Sequence, residues 1–125
     1  MTRALTVALL VAVASVAEAA AADSSGVRGV ITTGPTCPAE SIPPQPGCED
    51  RPYQTVIRIR ELPDGEVVKR VRSGKHGRFH AALEPGRYRL EPRGGDPYPR
   101  CFSKDVRVKA HQVTSVRLGC DTGIR

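Results

Sequence analysis

No asparagine and no tryptophan occur among the 125 residues, and aromatics make up only 4% of them. Without asparagine there is no N-x-S/T acceptor for N-glycosylation. So few rings leave the cations without the stacking platforms that single-stranded nucleic acid needs, and nucleic acid is not an expected partner. Lysine is scarce as well: Lys69, Lys75, Lys104 and Lys109 are the four, and the rest of the 19 basic residues are arginine. Beyond the first two dozen residues no stretch is apolar enough to span a bilayer. Nor does any later segment place apolar residues at helical spacing, so no helix is expected to open on a phosphate-binding loop.

The apolar run that does occur opens the chain. Arg3 gives a basic start, Ala4 to Ala14 is apolar apart from Thr6, and the run breaks up at Ser15 and Glu18, around Ala17-Glu18-Ala19. A short apolar stretch ending in an A-x-A-like site describes a cleavable secretory signal over residues 1–22. A membrane-spanning helix needs about 20 apolar residues, more than this run supplies. The export site is not directly followed by a cysteine, so no lipid anchor is expected. The remaining 23–125 form one domain, exported and extracytoplasmic. Losing Arg3 and Glu18 with the signal leaves the net charge at +6.

All four cysteines, Cys37, Cys48, Cys101 and Cys120, follow the signal. An even count in an exported chain reads as two disulfides. Four cysteines allow three pairings. Cys37–Cys48 and Cys101–Cys120 are favoured, because each pair brackets one local segment. Their separations of 11 and 19 lack the closely paired ligands of a zinc site, so neither metal nor cofactor is expected.

What recurs along 23–125 is alternation, punctuated by Gly and Pro. Seven runs stand out: Val27 to Thr33, Tyr53 to Leu62, Glu66 to Arg72, Arg78 to Leu83, Arg87 to Glu91, Cys101 to Lys109 and Gln112 to Cys120. Pro63-Asp64-Gly65 and Glu84-Pro85-Gly86 are turns whose Pro presets φ and whose Gly accepts tight geometry. Between the first two runs, residues 35 to 52 hold six prolines. That density excludes a sheet interior and makes a loop tied at its base by Cys37 and Cys48. Seven short alternating strands predict an all-β, seven-strand sandwich. Its expected core is Val30, Ile57, Ile59, Phe79, Leu83, Tyr88, Leu90, Val106, Val108, Val116 and Leu118.

One stretch carries a family resemblance. Gly77-Arg78-Phe79 followed by Leu83-Glu84-Pro85-Gly86-Arg87-Tyr88-Arg89-Leu90 resembles the G-x-[FY]-x-x-x-L-x-P-G-x-Y-x-L signature of carboxypeptidase regulatory-like domains. Gly26-Val27-Arg28-Gly29-Val30 resembles their first strand. These domains belong to the transthyretin-like (prealbumin-like) sandwiches. The resemblance covers roughly Gly26 to Leu118 and implies that fold with a non-catalytic accessory or binding role.

The candidate chemistry is thin. His76 and His111 fall in turns and His80 on an outward strand position, none beside a nucleophile or a paired carboxylate, so no enzyme is expected. Arg58, Arg60, Arg70, Arg72, Arg78, Arg87 and Arg89 are assigned outward. If the strands align them they form an arginine-rich sheet face, suited to forked bonds with carboxylates and phosphates on an anionic polymer or envelope surface. A third reading comes from Glu40-Ser41-Ile42-Pro43-Pro44-Gln45, which resembles the reactive loop of Bowman–Birk protease inhibitors. It would present Glu40 to a glutamate-preferring protease on a pre-ordered loop. The expectation is a secreted, monomeric, non-catalytic interaction or structural module with an unknown protein or anionic polymer as partner.

Overall fold

Each of the seven alternating runs contains a strand of the computed structural model, which describes residues 24–38 and 45–125. The strands are β1 (Gly26–Gly34), β2 (Arg51–Pro52), β3 (Val56–Glu61), β4 (Glu66–Arg72), β5 (Arg78–Ala82), β6 (Gly86–Pro92), β7 (Arg100–Cys101), β8 (Lys104–Val108) and β9 (Val113–Asp121). The count among the described residues is nine rather than the expected seven. Two short strands make the difference, and each has a physical reason. Pro52 lies in β2, which pairs only with β1, so its missing donor breaks no second ladder. The sixth run is two strands, because the chain changes sheets between Cys101 and Lys104: β7 pairs with β9, while β8 pairs with β6.

Two sheets result. Sheet I runs β2-β1-β9-β7, with β5 also on β1. The first half of β1 pairs with β5 and its far end with β2, while β9 lies parallel along its whole length. Sheet II is antiparallel, in the order β4-β3-β6-β8. Alternation turns one face of each sheet inward. From sheet I come Val27, Ile31, Phe79, Ala81, Val116 and Leu118; from sheet II come Ile57, Ile59, Tyr88, Leu90 and Val108, all buried. Each fully buried Ile or Leu contributes about 1.5–3 kcal/mol by leaving water.

Two expectations about the core are corrected. On β1 the inward residues are Val27 and Ile31, and Val30 is half-buried with its side chain on the outer face. Val30 shares a row with the outward Arg78 and Arg117, whereas Gly29, at an inward position, is covered by Phe79. Val106 packs only partly against the core. The third run departs from strict alternation, because β4 carries a bulge: Ile59 faces Lys69, but Arg60 faces Val67, which leaves Val68 extra and exposed.

The two bonds join Cys37 to Cys48 and Cys101 to Cys120, the favoured pairing. Of the expected proline-rich loop, residues 39–44 lie outside the described residues, as does the expected signal over 1–22. Among the described residues no helix is long and apolar enough to cross a membrane.

Candidate functional site

Register, more than sequence, gathers the arginines. On sheet II, Arg70 on β4 faces Arg58 on β3, which faces Glu91 on β6. The next row sets Arg60 on β3 against Arg89 on β6 and then Asp105 on β8. Arg72 lies beside Val56 at one end of the face, and Arg87 beside Arg107 at the other. Ile57, Ile59, Tyr88 and Leu90 occupy the intervening inward positions, so these arginines point to solvent. Six of the seven expected residues therefore share one face; Arg78 does not, since β5 belongs to sheet I.

Two carboxylates thread this face. Glu91 pairs with Arg60 and, at 3.7 Å, with Arg58. Arg89 grips Asp105 in a fork, with Nε 2.7 Å from Oδ1 and a terminal nitrogen 3.2 Å from Oδ2. That hydrogen-bonded guanidinium lowers the Asp105 pKa against an opposing desolvation, and the Arg89 and Arg87 charges add to the lowering. Arg60 also donates 2.8 Å to the carbonyl of Gly65, which fixes it over the β3–β4 turn. Arg70, Arg72, Arg87 and Arg107 form none of the ion pairs within 4.0 Å seen among the described residues. They are the exposed, uncompensated cations of the face.

A second basic surface lies on the opposite side of the sandwich. The outer face of sheet I sets Arg28 between His80 on β5 and Ser115 on β9, and in the next row Val30 between Arg78 and Arg117. Together they line an open groove of about 840 Å³ floored by β1 at Gly29. Lys104, from the edge of sheet II, reaches its rim with Nζ 3.4 Å from the carbonyl oxygen of Arg117. Arg28, Arg117, Lys104 and Arg107 were not singled out from the sequence. The signal for the first was available: Arg28 alternates with Val27, but taking Val30 as core hid it.

The other candidates stay apart. His76 is exposed in the β4–β5 turn and His111 in the β8–β9 turn with φ 58°. Neither joins His80, and no cluster of three or more His, Cys, Asp or Glu side chains arranged for a metal exists among the described residues. Glu40, Ser41, Ile42 and Pro43 lie outside the described residues.

No family model and no curated protein matches the chain. Among solved structures it is similar to a minor pilin of the Gram-positive pathogen Streptococcus agalactiae, with a TM-score of 0.58 at 12% sequence identity. The likeness covers 82% of this chain and 47% of the pilin chain, so this chain spans about half the length of that neighbour. At this identity the likeness shows a shared β-sandwich fold.

Proposed function

We propose that this protein is an exported, non-catalytic β-sandwich module that binds an anionic polymer across the outer face of sheet II. The observation that carries this reading is the direct apposition of Arg87 with Arg107 and of Arg70 with Arg58, of which Arg87, Arg107 and Arg70 take part in none of the ion pairs within 4.0 Å among the described residues. Like charges directly opposite each other on a sheet are destabilising. A face meant only for solvation is better served by opposite charges, so the tolerated repulsion supports a ligand that supplies the missing anions. Arginine's planar fork suits carboxylate, sulfate or phosphate groups along such a chain.

Two intramolecular disulfides support an oxidising, extracytoplasmic setting, in keeping with the secretory signal read at residues 1–22. The likeness to a minor pilin supports a structural or binding role over a catalytic one. The transthyretin-like assignment within the β-sandwich class draws support from the signature residues: Phe79, Leu83, Tyr88 and Leu90 are all core.

Retention on heparin and on an acidic glycan resin tests the reading. The protein should elute at higher salt than an unrelated protein of similar pI, because neutralised charges make binding steeply salt-dependent. Substituting the uncompensated Arg70, Arg72 and Arg87 by Ala together should bring elution down to that reference. An unshifted elution salt in that variant would sink the proposal.

A further inference from the structure

The groove on sheet I is a separate matter from the sheet II face. We propose that it is a discrete site for a small ligand carrying two or more clustered phosphate groups. Four cations converge on it, Arg28, Arg78, Arg117 and Lys104, with no carboxylate in its lining. On the sheet II face Glu91 and Asp105 stand among the arginines and pair with Arg58, Arg60 and Arg89, whereas the groove's three arginines have no carboxylate among them and take part in none of the ion pairs within 4.0 Å among the described residues. Leaving three guanidiniums side by side without a counter-ion is unfavourable in the empty protein and becomes favourable once an anion of matching charge arrives.

The geometry follows from strand spacing. Arg78 and Arg117 sit on the two strands that flank β1, both level with Val30, so their Cα atoms are about 10 Å apart. Arg28 lies two residues back along β1, about 6.6 Å away, in the row between His80 and Ser115. Guanidiniums on long side chains raised from such a triangle can all reach one compact ligand, and each offers its donors in a fork that fits phosphate oxygens. Lys104 adds a point charge at the rim. His80 and the Ser115 hydroxyl supply further hydrogen-bonding groups.

Charge and shape narrow the class. A phosphomonoester carries about −1.5 to −2 near neutral pH, so two phosphates balance the four cations. No exposed aromatic lines the groove. Phe79 contributes to its floor but is buried, with its ring against Gly29, and so cannot stack on a base. The phosphates, and not an attached nucleobase, are therefore what the site reads. A short inorganic polyphosphate and a polyol bearing several phosphates share this chemistry.

Calorimetric titration of the disulfide-bonded protein at low ionic strength, with inorganic tripolyphosphate in one arm and inositol hexakisphosphate in the other, tests the site. Saturable one-to-one binding is expected, and the tighter of the two names the source. Arg28→Ala/Arg117→Ala should weaken it at least tenfold, while Lys75→Ala/Lys109→Ala, which removes two exposed cations outside both surfaces, should change it less than twofold. ATP should bind no more tightly than tripolyphosphate. The proposal is overturned if neither probe saturates, if both double variants weaken binding equally, or if ATP binds more than tenfold tighter than tripolyphosphate. As Arg28 and Arg117 lie on sheet I and Arg70, Arg72 and Arg87 on sheet II, loss of tripolyphosphate binding in the first variant and loss of heparin retention in the second report on the two surfaces separately. Unchanged thermal unfolding of the exposed-arginine variants separates lost binding from lost fold.

Discussion

The backbone amide of Ile31 donates to the carbonyl oxygen of Gly77 across 2.8 Å, and the Ile31 carbonyl oxygen fills the space that a Cβ on Gly77 would take. Gly77 also has φ 73°, in the left-handed region. Two separate demands therefore meet at this glycine: a turn conformation that side chains resist, and close approach of the turn to β1.

Gly77→Ala should consequently be among the most damaging single-atom-group changes in the protein. The left-handed conformation contributes about 1–2 kcal/mol and the forced backbone shift about 1–3 more. Gly74, three residues earlier, is the control. Its nearest neighbour to an added Cβ is the Arg78 carbonyl at 3.9 Å and its φ is unremarkable, so Gly74→Ala should stay within about 0.5 kcal/mol. Urea midpoints for the two variants check this, and equal midpoints would refute the account.

Tyr88 anchors the neighbouring turn. Its ring is core and its hydroxyl donates 2.6 Å to the carbonyl oxygen of Glu84, tying the Pro85-Gly86 turn to β6 in the manner of a tyrosine corner. Burial raises the phenol's pKa above 10.0, and the nearby carboxylates of Glu61 and Glu84 add to the rise. The fold thus favours the neutral phenol. The stability this contributes is complete below the unfolded value of about 10 and is lost as pH rises through the higher folded value. Tyr88→Phe should lose about 1 kcal/mol at neutral pH for the missing hydrogen bond. It should also flatten the decline in stability above pH ~10 that the parent shows. A parallel alkaline decline in both proteins would contradict this.

The places where sequence reading succeeded and failed have physical causes. Alternation located most of the long strands because Ile57, Ile59, Tyr88, Leu90, Val116 and Leu118 are each buried between two residues that are not. It failed on β1, where Val27, Val30 and Ile31 offer both parities and a glycine occupies the inward position between them. Only the tertiary neighbour, the Phe79 ring, decides the face. Outward assignment of the arginines was legible from the same alternation. Which of them meet was not, because meeting depends on strand order and on the bulge beside Ile59. Arg78 shows the limit: it reads like Arg87, yet lies across the sandwich from it. The groove was less legible still, as it needs β1, β5 and β9 side by side, and parallel pairing of the first and last strands leaves no local trace.

The two disulfides should differ in worth although their loops are similar. Loop closure predicts about 3 kcal/mol for each from restriction of the unfolded chain. Cys120, however, is also a core side chain at 5% exposure, and Cys101 packs against the same cluster. Cys37 and Cys48 are only half-buried and stand outside that cluster. Cys101→Ala/Cys120→Ala should therefore be less stable than Cys37→Ala/Cys48→Ala by about 1 kcal/mol or more, through lost packing next to the core. Denaturant unfolding of the two variants decides it: equal loss would mean that only the unfolded chain feels these bonds.

Asp121 gives the acid side of the stability profile a specific cause. Its carboxylate receives two guanidinium hydrogen bonds from Arg125, at 3.1 and 3.0 Å, and the amide of Gly123 at 2.8 Å. These donors, Arg125 foremost, hold the carboxyl at about 2 against an ordinary value of 3.8. The folded state therefore favours the ionised form. The stability so gained is present above the unfolded value of about 3.9 and is lost as pH falls through about 2. The same segment ties the end of β9 to β1, since the Thr122 amide donates 3.1 Å to the Gly34 carbonyl. Arg125→Ala should raise the Asp121 midpoint toward the ordinary carboxylate range while leaving Asp105, held by Arg89 on the other sheet, where it was. Carboxyl carbon shifts followed by NMR between pH ~5 and ~1.5 read both groups in one titration. A midpoint for Asp121 that ignores the loss of Arg125 would show that the Gly123 amide, and not the guanidinium, sets it.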